Sequence, residues 1–219
     1  MSPAVRRTGA RAGVALSARL WDAFQTVVGG NDQKQAVIKA QIPHAGRVLE
    51  IGCGTGNVAA VFADADYVGV DIDSGRIALA AEKFPQPNYR FYCMDVLDED
   101  LPEPQSFDTV LVSHTAHHLS DAAMKRLLRR SAALLRRHGE LVILDMLRPE
   151  PHEPFSKQFY FKLDRGAHIR NETELFSLFG AEEGFEEPRA EILKVHKFGV
   201  EVIDEIVIRA RRRAHAEGA

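Results

Sequence analysis

The chain has 219 residues, of which 45% are hydrophobic and 27% charged, a composition typical of one globular domain. The net charge of −3 gives no reason to expect a nucleic-acid partner, and no apolar run approaches the roughly 18 residues that span a bilayer. Two cysteines, Cys53 and Cys93, cannot form a disulfide framework, so we expect a reducing, cytoplasmic environment.

The first 44 residues precede the regular part of the pattern. Apolar residues recur at helical spacing over residues 16–28, with Trp21 among them, and predict a first helix. Asp22 is the first acidic residue, so the start resembles either a transit peptide or a loosely ordered basic segment that leads into a helix. A second helix is predicted over Asp32–Gln41. We interpret these helices as a lid.

Strands and helices then alternate. The predicted strands are Arg47–Ile51, Tyr67–Val70, Tyr89–Met94, Phe107–Ser113 and Glu140–Met146, and the predicted helices are Val58–Asp64, Ser74–Phe84 and Asp121–Arg137, the last closed by Gly139. Such alternation indicates a parallel sheet with helices on both faces, and residues 45–147 form this core.

Residues 148–170 break the rhythm with three prolines and four aromatic residues. We interpret this segment as an insertion over the carboxyl edge of the sheet, where Tyr160, Arg165 and His168 would line an acceptor pocket together with Trp21. The rest of the domain, residues 171–210, is expected to contain a helix from a capping box at Asn171 and Glu174 through Leu178, and two strands, Arg189–His196 and Glu201–Arg209. Residues 211–219 are predicted to be a frayed basic tail.

The stretch "RVLEIGCGTGNVA" is compatible with either of two kinds of ligand. Gly54-x-Gly56-x-x-Ala59 fits a relaxed dinucleotide fingerprint and would indicate a nicotinamide or flavin. Glu50, just before the glycines, would repel a pyrophosphate at the following helix terminus. It suits the ammonium group of S-adenosylmethionine instead.

Carboxylates end two further strands. Asp71 follows Gly56 by 15 residues, where it can accept hydrogen bonds from ribose hydroxyls of either ligand. Asp95 follows the third strand and is placed to accept from an adenine amino group, with Val96 against the ring. Together with Glu50, these residues favour S-adenosylmethionine.

Five segments in order, "VLEIGCGTGN", "YVGVDID", "CMDV", "FDTVLVSHTAHHL" and "LLRRHGELVILD", resemble the motifs of class I S-adenosylmethionine-dependent methyltransferases. "LDRGAHIR" is similar to a segment of the small bacterial members called type-11 methyltransferases. The resemblance implies a doubly wound α/β fold with a mostly parallel seven-stranded sheet of order 3-2-1-4-5-7-6 and an antiparallel last strand. "RRHGE" departs from the Pro-Gly-Gly that the family usually has there, which concerns a structural turn only.

By resemblance, the cofactor contacts are Glu50, Gly52, Gly54, Asp71 and Asp95, and we add their neighbours Cys53, Asn57, Ile72, Val96 and Ser113. The family's acceptors are diverse, so the resemblance gives the reaction and leaves the substrate open.

Three histidines follow the fourth strand. His117, His118 and His114 are candidate catalytic bases, which the reaction needs only if the acceptor arrives protonated. The alternative is that His117 and His118 begin a helix, one of them buried and hydrogen-bonded and the other exposed. His114-x-x-His117 offers two metal ligands where a zinc site needs three or four, so no metal is predicted.

Three functions fit this pattern. The first is methyl transfer to O, N or C of a small molecule, favoured over nucleic acid by the aromatic insertion. The second is a methyltransferase-like module that binds the cofactor without transfer. The third, disfavoured by Glu50, is a nicotinamide-dependent oxidoreductase. The sequence leaves the oligomeric state open.

Overall fold

The computed structural model describes residues 31–43, 46–103, 106–163, 166–180, 183–197 and 199–213. The predicted first helix with Trp21, and Arg165 of the insertion, lie outside these residues. None of the helices in the described ranges has the length and apolar character to span a bilayer.

Helices and strands form a doubly wound α/β domain. The strands are β1 (Arg47–Ile51), β2 (Asp66–Asp71), β3 (Tyr89–Cys93), β4 (Phe107–Ser113), β5 (Leu135–Met146), β6 (Arg189–Lys197) and β7 (Val200–Arg211). The α-helices are α1 (Asn31–Gln41), α2 (Ser74–Lys83), α3 (Asp121–Leu134), α4 (Phe155–Leu163) and α5 (Glu172–Phe176).

The sheet has seven strands in the order β3-β2-β1-β4-β5-β7-β6, which confirms the expected topology. Strands β1 to β5 are parallel, and β7 runs antiparallel to both β5 and β6. The chain leaves β1 toward β2 on one side and reaches β4 on the other, so a crevice opens at the carboxyl ends of β1 and β4. Ligands bind at such a switch point in open α/β sheets.

The core has one layer on each face of the sheet. In β1, Leu49 and Ile51 belong to one buried cluster, while Val48 belongs to the other with Ile38 of α1. Successive side chains of a strand point to opposite faces, and both faces here are covered, so the strands read as continuous apolar runs. Residue 50 of β1 therefore lies on the face that α1 covers.

The predicted helix over Val58–Asp64 is wrong. Only a short 3-10 helix forms, over Ala59–Phe62. Its amides bond three residues back, as from Val61 to the Val58 carbonyl at 3.0 Å. Val58 and Phe62 are buried, so this tight turn packs directly against the sheet and leads into β2 without room for a longer helix.

The predicted boundary between the fourth helix and fifth strand is also wrong. Helix α3 ends at Leu134 rather than Arg137, and β5 begins at Leu135, which pairs with Phe107. A bulge follows, with His138 at a φ of 65°. Gly139 lies within this strand instead of closing the helix. A Cβ there would come within 2.9 Å of the Phe107 carbonyl oxygen, so the close approach of the two strands favours glycine at this position.

The carboxyl-terminal part contains the predicted capping box. The Glu174 amide donates to Asn171 Oδ1 at 2.9 Å, and the Asn171 amide donates to Glu174 Oε2 at 3.0 Å. The helix ends at Phe176, two residues early. The predicted tail is partly wrong, because β7 continues to Arg211 and the Arg212 amide donates to the Gly139 carbonyl at 2.9 Å.

Candidate active site

The glycine loop leaves β1 as a chain of left-handed turns. Gly52, Gly54 and Gly56 have φ values of 77°, 54° and 75°, which favour glycine. A Cβ on Gly52 would lie 2.3 Å from Thr115 Oγ1, so the loop after β4 packs against this residue. A Cβ on Gly54 would meet nothing within 4 Å, so this side of the loop is open for close approach of a ligand.

Asp71 at the end of β2 holds the loop in place. Its Oδ2 accepts from the Gly54 amide at 2.9 Å, and its Oδ1 accepts from the Asp73 amide at 2.8 Å. A carboxylate oxygen has two lone pairs, so each oxygen can accept one further hydrogen bond, as a ribose diol requires. Asp71 therefore has a structural role that the sequence did not indicate.

The residues that follow β2 and β3 form the outer wall of the candidate cofactor site. Ile72 is 76% exposed, so its side chain offers an apolar surface beside Asp71. Asp95 is half-buried and accepts from the Leu97 amide at 2.9 Å, which makes it part of its own turn, and Val96 is buried beneath it.

Glu50 is a buried carboxylate on the α1 face of β1. It accepts a short hydrogen bond from the Tyr67 hydroxyl. Burial raises the pKa of Glu50 to about 7; Asp71 acts in the same direction, while the Tyr67 hydrogen bond and the charge of Lys34 act against it. A cation bound next to Glu50 would favour the charged form of its carboxylate.

The remaining predicted cofactor residues are close by. Cys53 is buried, and its amide donates to the Val70 carbonyl at 3.0 Å. Asn57 accepts from the Thr55 hydroxyl at 2.9 Å, and Ser113 is buried at the end of β4, with its hydroxyl 3.4 Å from His114 Nδ1. The glycine loop and the loop after β4 therefore meet at the switch point of the sheet.

A histidine–carboxylate pair lies at the end of β5. His117 Nδ1 is 2.6 Å from Asp145 Oδ1, and the His117 amide donates to Asp145 Oδ2 at 3.0 Å. Both residues are buried. Burial would raise the pKa of Asp145, but the hydrogen bond and charge of His117 outweigh it, and the pKa is lowered. The carboxylate thus stays ionised and fixes the orientation of the imidazole.

A second such pair lies beside it. His114 Nε2 is 2.9 Å from Glu205 Oε1, which joins the end of β4 to β7. His114 has a φ of 49°, uncommon for a residue other than glycine. Its amide donates to the Leu144 carbonyl at 2.8 Å, so strand pairing maintains this conformation.

Two of the other acceptor-side candidates, His118 and His168, lie beside His117. The exposed ring of His118 has its centroid 4.1 Å from that of His117, and the His168 amide donates to the His117 carbonyl at 2.9 Å. Tyr160 on α4 packs against a small apolar cluster with Ile203 of β7. The insertion therefore stands beside the carboxyl ends of β5 and β6 and the amino end of β7. No group of three or more His, Cys, Asp or Glu residues in the described ranges could hold a metal ion.

Comparison with known proteins gives a family. A model described as a methyltransferase domain matches residues 48–139. An uncharacterised methyltransferase of Bacillus velezensis is 30% identical over 153 residues, covering 65% of this chain and 70% of the relative. The chain belongs to the class I S-adenosylmethionine-dependent methyltransferases.

Two further methyltransferases extend the comparison. The uncharacterised methyltransferase YcgJ of Bacillus subtilis is 30% identical over 150 residues, which cover 64% of this chain and 57% of that relative's length. The solved structure of phosphoethanolamine N-methyltransferase 2 of Haemonchus contortus aligns with a TM-score of 0.69 at 17% identity, covering 88% of this chain and 56% of that one. This second likeness concerns the fold.

The cofactor of this methyltransferase is S-adenosylmethionine, as the sequence predicted, rather than a nicotinamide. The donor set suits it. Glu50 and Asp71 are carboxylates that match an ammonium and a ribose diol, and the open side of Gly54 allows backbone amides to approach. A pyrophosphate would meet the negative charge of Glu50 there.

The sequence analysis did not identify four residues of this candidate site. Three of them are charged side chains near the histidines and Glu50, namely Asp145, Glu205 and Lys34. The fourth is Arg170, which donates to the carbonyls of Ala116 at 3.2 Å and Leu119 at 2.5 Å and so fixes the turn that carries His117. Of these four, only Asp145 could have been predicted from the sequence, because it is a carboxylate at the end of the apolar run "ELVILD". The other three depend on tertiary contacts.

Proposed function

We propose that the protein methylates a small molecule at an atom that arrives protonated, with His117 as the general base. The buried pair of His117 and Asp145, at the crevice between the glycine loop and the insertion, carries this proposal. Bound S-adenosylmethionine supplies a methyl group on a positively charged sulfur. The protein must then align the acceptor and remove its proton.

His117 suits this role by its orientation. With Nδ1–H donated to Asp145, the lone pair for proton abstraction lies on Nε2. The negative charge of Asp145 then stabilises the imidazolium that forms. Arg170 and the His168 amide hold the main chain on both sides of His117, so the ring keeps its position during the reaction.

The cofactor contacts follow from the same crevice. Glu50 is proposed to bind the ammonium group, Asp71 the ribose hydroxyls, and Ile72 and Val96 the adenine ring with Asp95 at its edge. Gly52, Cys53, Gly54, Asn57 and Ser113 complete the wall.

The acceptor is proposed to bind between the His117 turn and residues 148–170. Tyr160 packs against an apolar cluster beside the carboxyl end of β5 and the amino end of β7, and residues 166–170 return to His117. This enclosure favours a small, partly apolar acceptor with an acidic hydroxyl, thiol or carbon over a polymer.

A release assay for S-adenosylhomocysteine tests the function. Panels of phenols, thiols, acidic carbon compounds and amines are each incubated with the protein and S-adenosylmethionine. We expect turnover with a protonated small acceptor, and loss of turnover at low pH as His117 takes up a proton. Cofactor binding without turnover on any class would support the binding module instead, and turnover confined to nucleic acid or protein would contradict the acceptor class.

A further inference from the structure

His114 has no part in proton removal by His117, yet its geometry is unusual. Its φ of 49° lies in the left-handed region, where residues other than glycine are uncommon and cluster at functional sites. Its imidazole bonds through Nε2 to Glu205 Oε1 at 2.9 Å. The side chains of His114 and Glu205 are 25% and 13% exposed, so the pair is mostly buried but still accessible to a small molecule.

The register of the sheet places this pair close to the proposed base. Glu205 lies opposite Met146 in the pairing of β5 with β7, and Asp145 is the residue before Met146. Successive residues of a strand point to opposite faces, so Asp145 and Glu205 lie on opposite faces of the same edge of the sheet. The loop after β4 therefore sends one imidazole to each face, His117 to Asp145 and His114 to Glu205.

The His114–Glu205 pair has positions open for a hydrogen-bond donor. A carboxylate only accepts, so in a neutral imidazole Nε2 carries the proton and Nδ1 keeps its lone pair. The Ser113 hydroxyl lies 3.4 Å from Nδ1, which is longer than a strong hydrogen bond. The residues that the structure describes make no other hydrogen bond to Glu205, so its Oε2 is open as well.

The charges at this edge favour a cation. Asp145 and Glu205 are carboxylates here, and Glu50 of β1 is a third, with a pKa of about 7. Lys34 of α1 interacts electrostatically with all three, most strongly with Glu50. Even when Glu50 is neutral, the two other carboxylates exceed Lys34 by one negative charge. Because a poorly hydrated charge without a partner is costly, a bound cation would stabilise this edge.

Resting on the proposed function, we propose that the His114–Glu205 pair binds a protonated amino group of the acceptor. The acceptor then has two polar groups, an acidic hydroxyl, thiol or carbon that loses its proton to His117 and an ammonium that donates to Glu205. Glu205 determines specificity, and His114 is a positioning residue that holds Oε1 and leaves Oε2 for the ammonium. The ammonium keeps its charge throughout, so this pair takes no part in the proton transfer.

Two series of small molecules isolate the ammonium contact. Tyramine, tyrosol and 4-propylphenol are phenols of similar size that end in an ammonium, a hydroxyl and a methyl group, and 2-aminoethanethiol and 1-propanethiol are the matching thiols. Titration calorimetry measures the affinity of each for the complex of the protein with S-adenosylhomocysteine, in which no methyl group can be transferred.

The test variant is Glu205→Gln, which removes the charge and keeps the size of the side chain. Glu140→Gln is the matched control, because it removes an equal charge from β5 at a carboxylate that pairs with Arg209 instead. We expect Glu205→Gln to weaken tyramine or 2-aminoethanethiol by about tenfold or more, as loss of a charge-assisted hydrogen bond predicts. The hydroxyl and alkyl compounds should weaken by less than about threefold, and Glu140→Gln should change none of them.

Equal weakening of all compounds by Glu205→Gln would overturn the inference, since it would indicate that Glu205 only supports the structure of the site. Binding of an alkyl compound without binding of either ammonium compound would overturn it as well and would leave the proposed function intact. Failure of every phenol, thiol and carbon acid to be methylated would instead overturn the proposed function. Thermal melting of each variant shows whether it is folded.

Discussion

The glycine loop and the loop after β4 meet at the same edge of the sheet, but different contacts hold them. Around the glycine loop, backbone amides bond to Asp71, a carboxylate 17 residues from Gly54. Around the loop after β4, side chains pair over longer separations, 28 residues for His117 with Asp145 and 91 for His114 with Glu205. The first arrangement suits a fixed cofactor. The second makes the position of the acceptor-side histidines depend on β5 and β7.

The largest effect is expected at His117. His117→Gln should lower kcat by about 10²-fold or more, because general-base catalysis contributes about 10² to 10⁴. The affinity for S-adenosylhomocysteine should change by less than about twofold. Steady-state kinetics and calorimetry measure the two quantities, and the exposed His196→Gln is the control. Full activity of His117→Gln would show that His117 is not the general base.

Asp71→Ala should affect the cofactor side of the site rather than the acceptor side. We expect affinity for S-adenosylhomocysteine to fall by ~1.5–3 kcal/mol, the range for hydrogen bonds to a charged group. The loop amides of Gly54 and Asp73 lose their acceptor too, so the melting temperature should also fall.

Asp73→Ala separates these effects. Asp73 caps α2 by accepting from the Gly75 and Arg76 amides, so this variant should lose ~1 kcal/mol of stability with little loss of affinity. Equal loss of affinity in both variants would mean that Asp71 acts only through the stability of the loop.

Cofactor affinity should depend on pH through Glu50. Its pKa is about 7 in the ligand-free protein, so below pH 7 the carboxyl holds a proton that an incoming ammonium must displace. Affinity for S-adenosylhomocysteine should therefore rise with pH, by up to about tenfold per unit below 7, and level off above it. Glu50→Gln should abolish this rise. A pH dependence that is unchanged in Glu50→Gln would assign it to another group.

The raised pKa of Glu50 also predicts a smaller effect, on the stability of the folded protein. Because the pKa of Glu50 in the folded protein lies above the unfolded value, its burial favours the neutral form and becomes unfavourable as pH rises through 7. Relative to the wild type, Glu50→Gln should gain about 5–10 °C in melting temperature between pH 5 and pH 8, since the raised pKa corresponds to about 2–3 kcal/mol over this range and 1 kcal/mol shifts the melting temperature by about 2–4 °C. A constant difference would contradict the raised pKa.

The cofactor region was largely predictable from sequence, and the acceptor region was not. Glu50, the glycines and Asp71 follow one another at successive strand ends, so periodicity alone brings them to one edge. The partners Asp145 and Glu205 belong to strands whose contact with the histidine loop depends on the whole sheet order. Lys34 lies on a helix outside the alternating pattern, and its position depends on the packing of that helix against the segment that follows the glycine loop.

Local geometry explains the wrong boundaries. The helical period continues past Leu134, but Leu135 pairs with Phe107, and this strand contact overrides helix propensity. Likewise the segment after Asn57 has helix-forming residues, yet burial of Val58 and Phe62 holds it in a tight turn.

A double-variant cycle tests the division between the two regions most directly. The quantity measured is kcat/KM for the wild type, Asp71→Ala, Asp145→Asn and the double variant. If one region binds the cofactor and the other removes the proton, the two losses in free energy should add within ~0.5 kcal/mol. A double variant no worse than the poorer single variant would show that both residues support one shared structure, and would contradict the account.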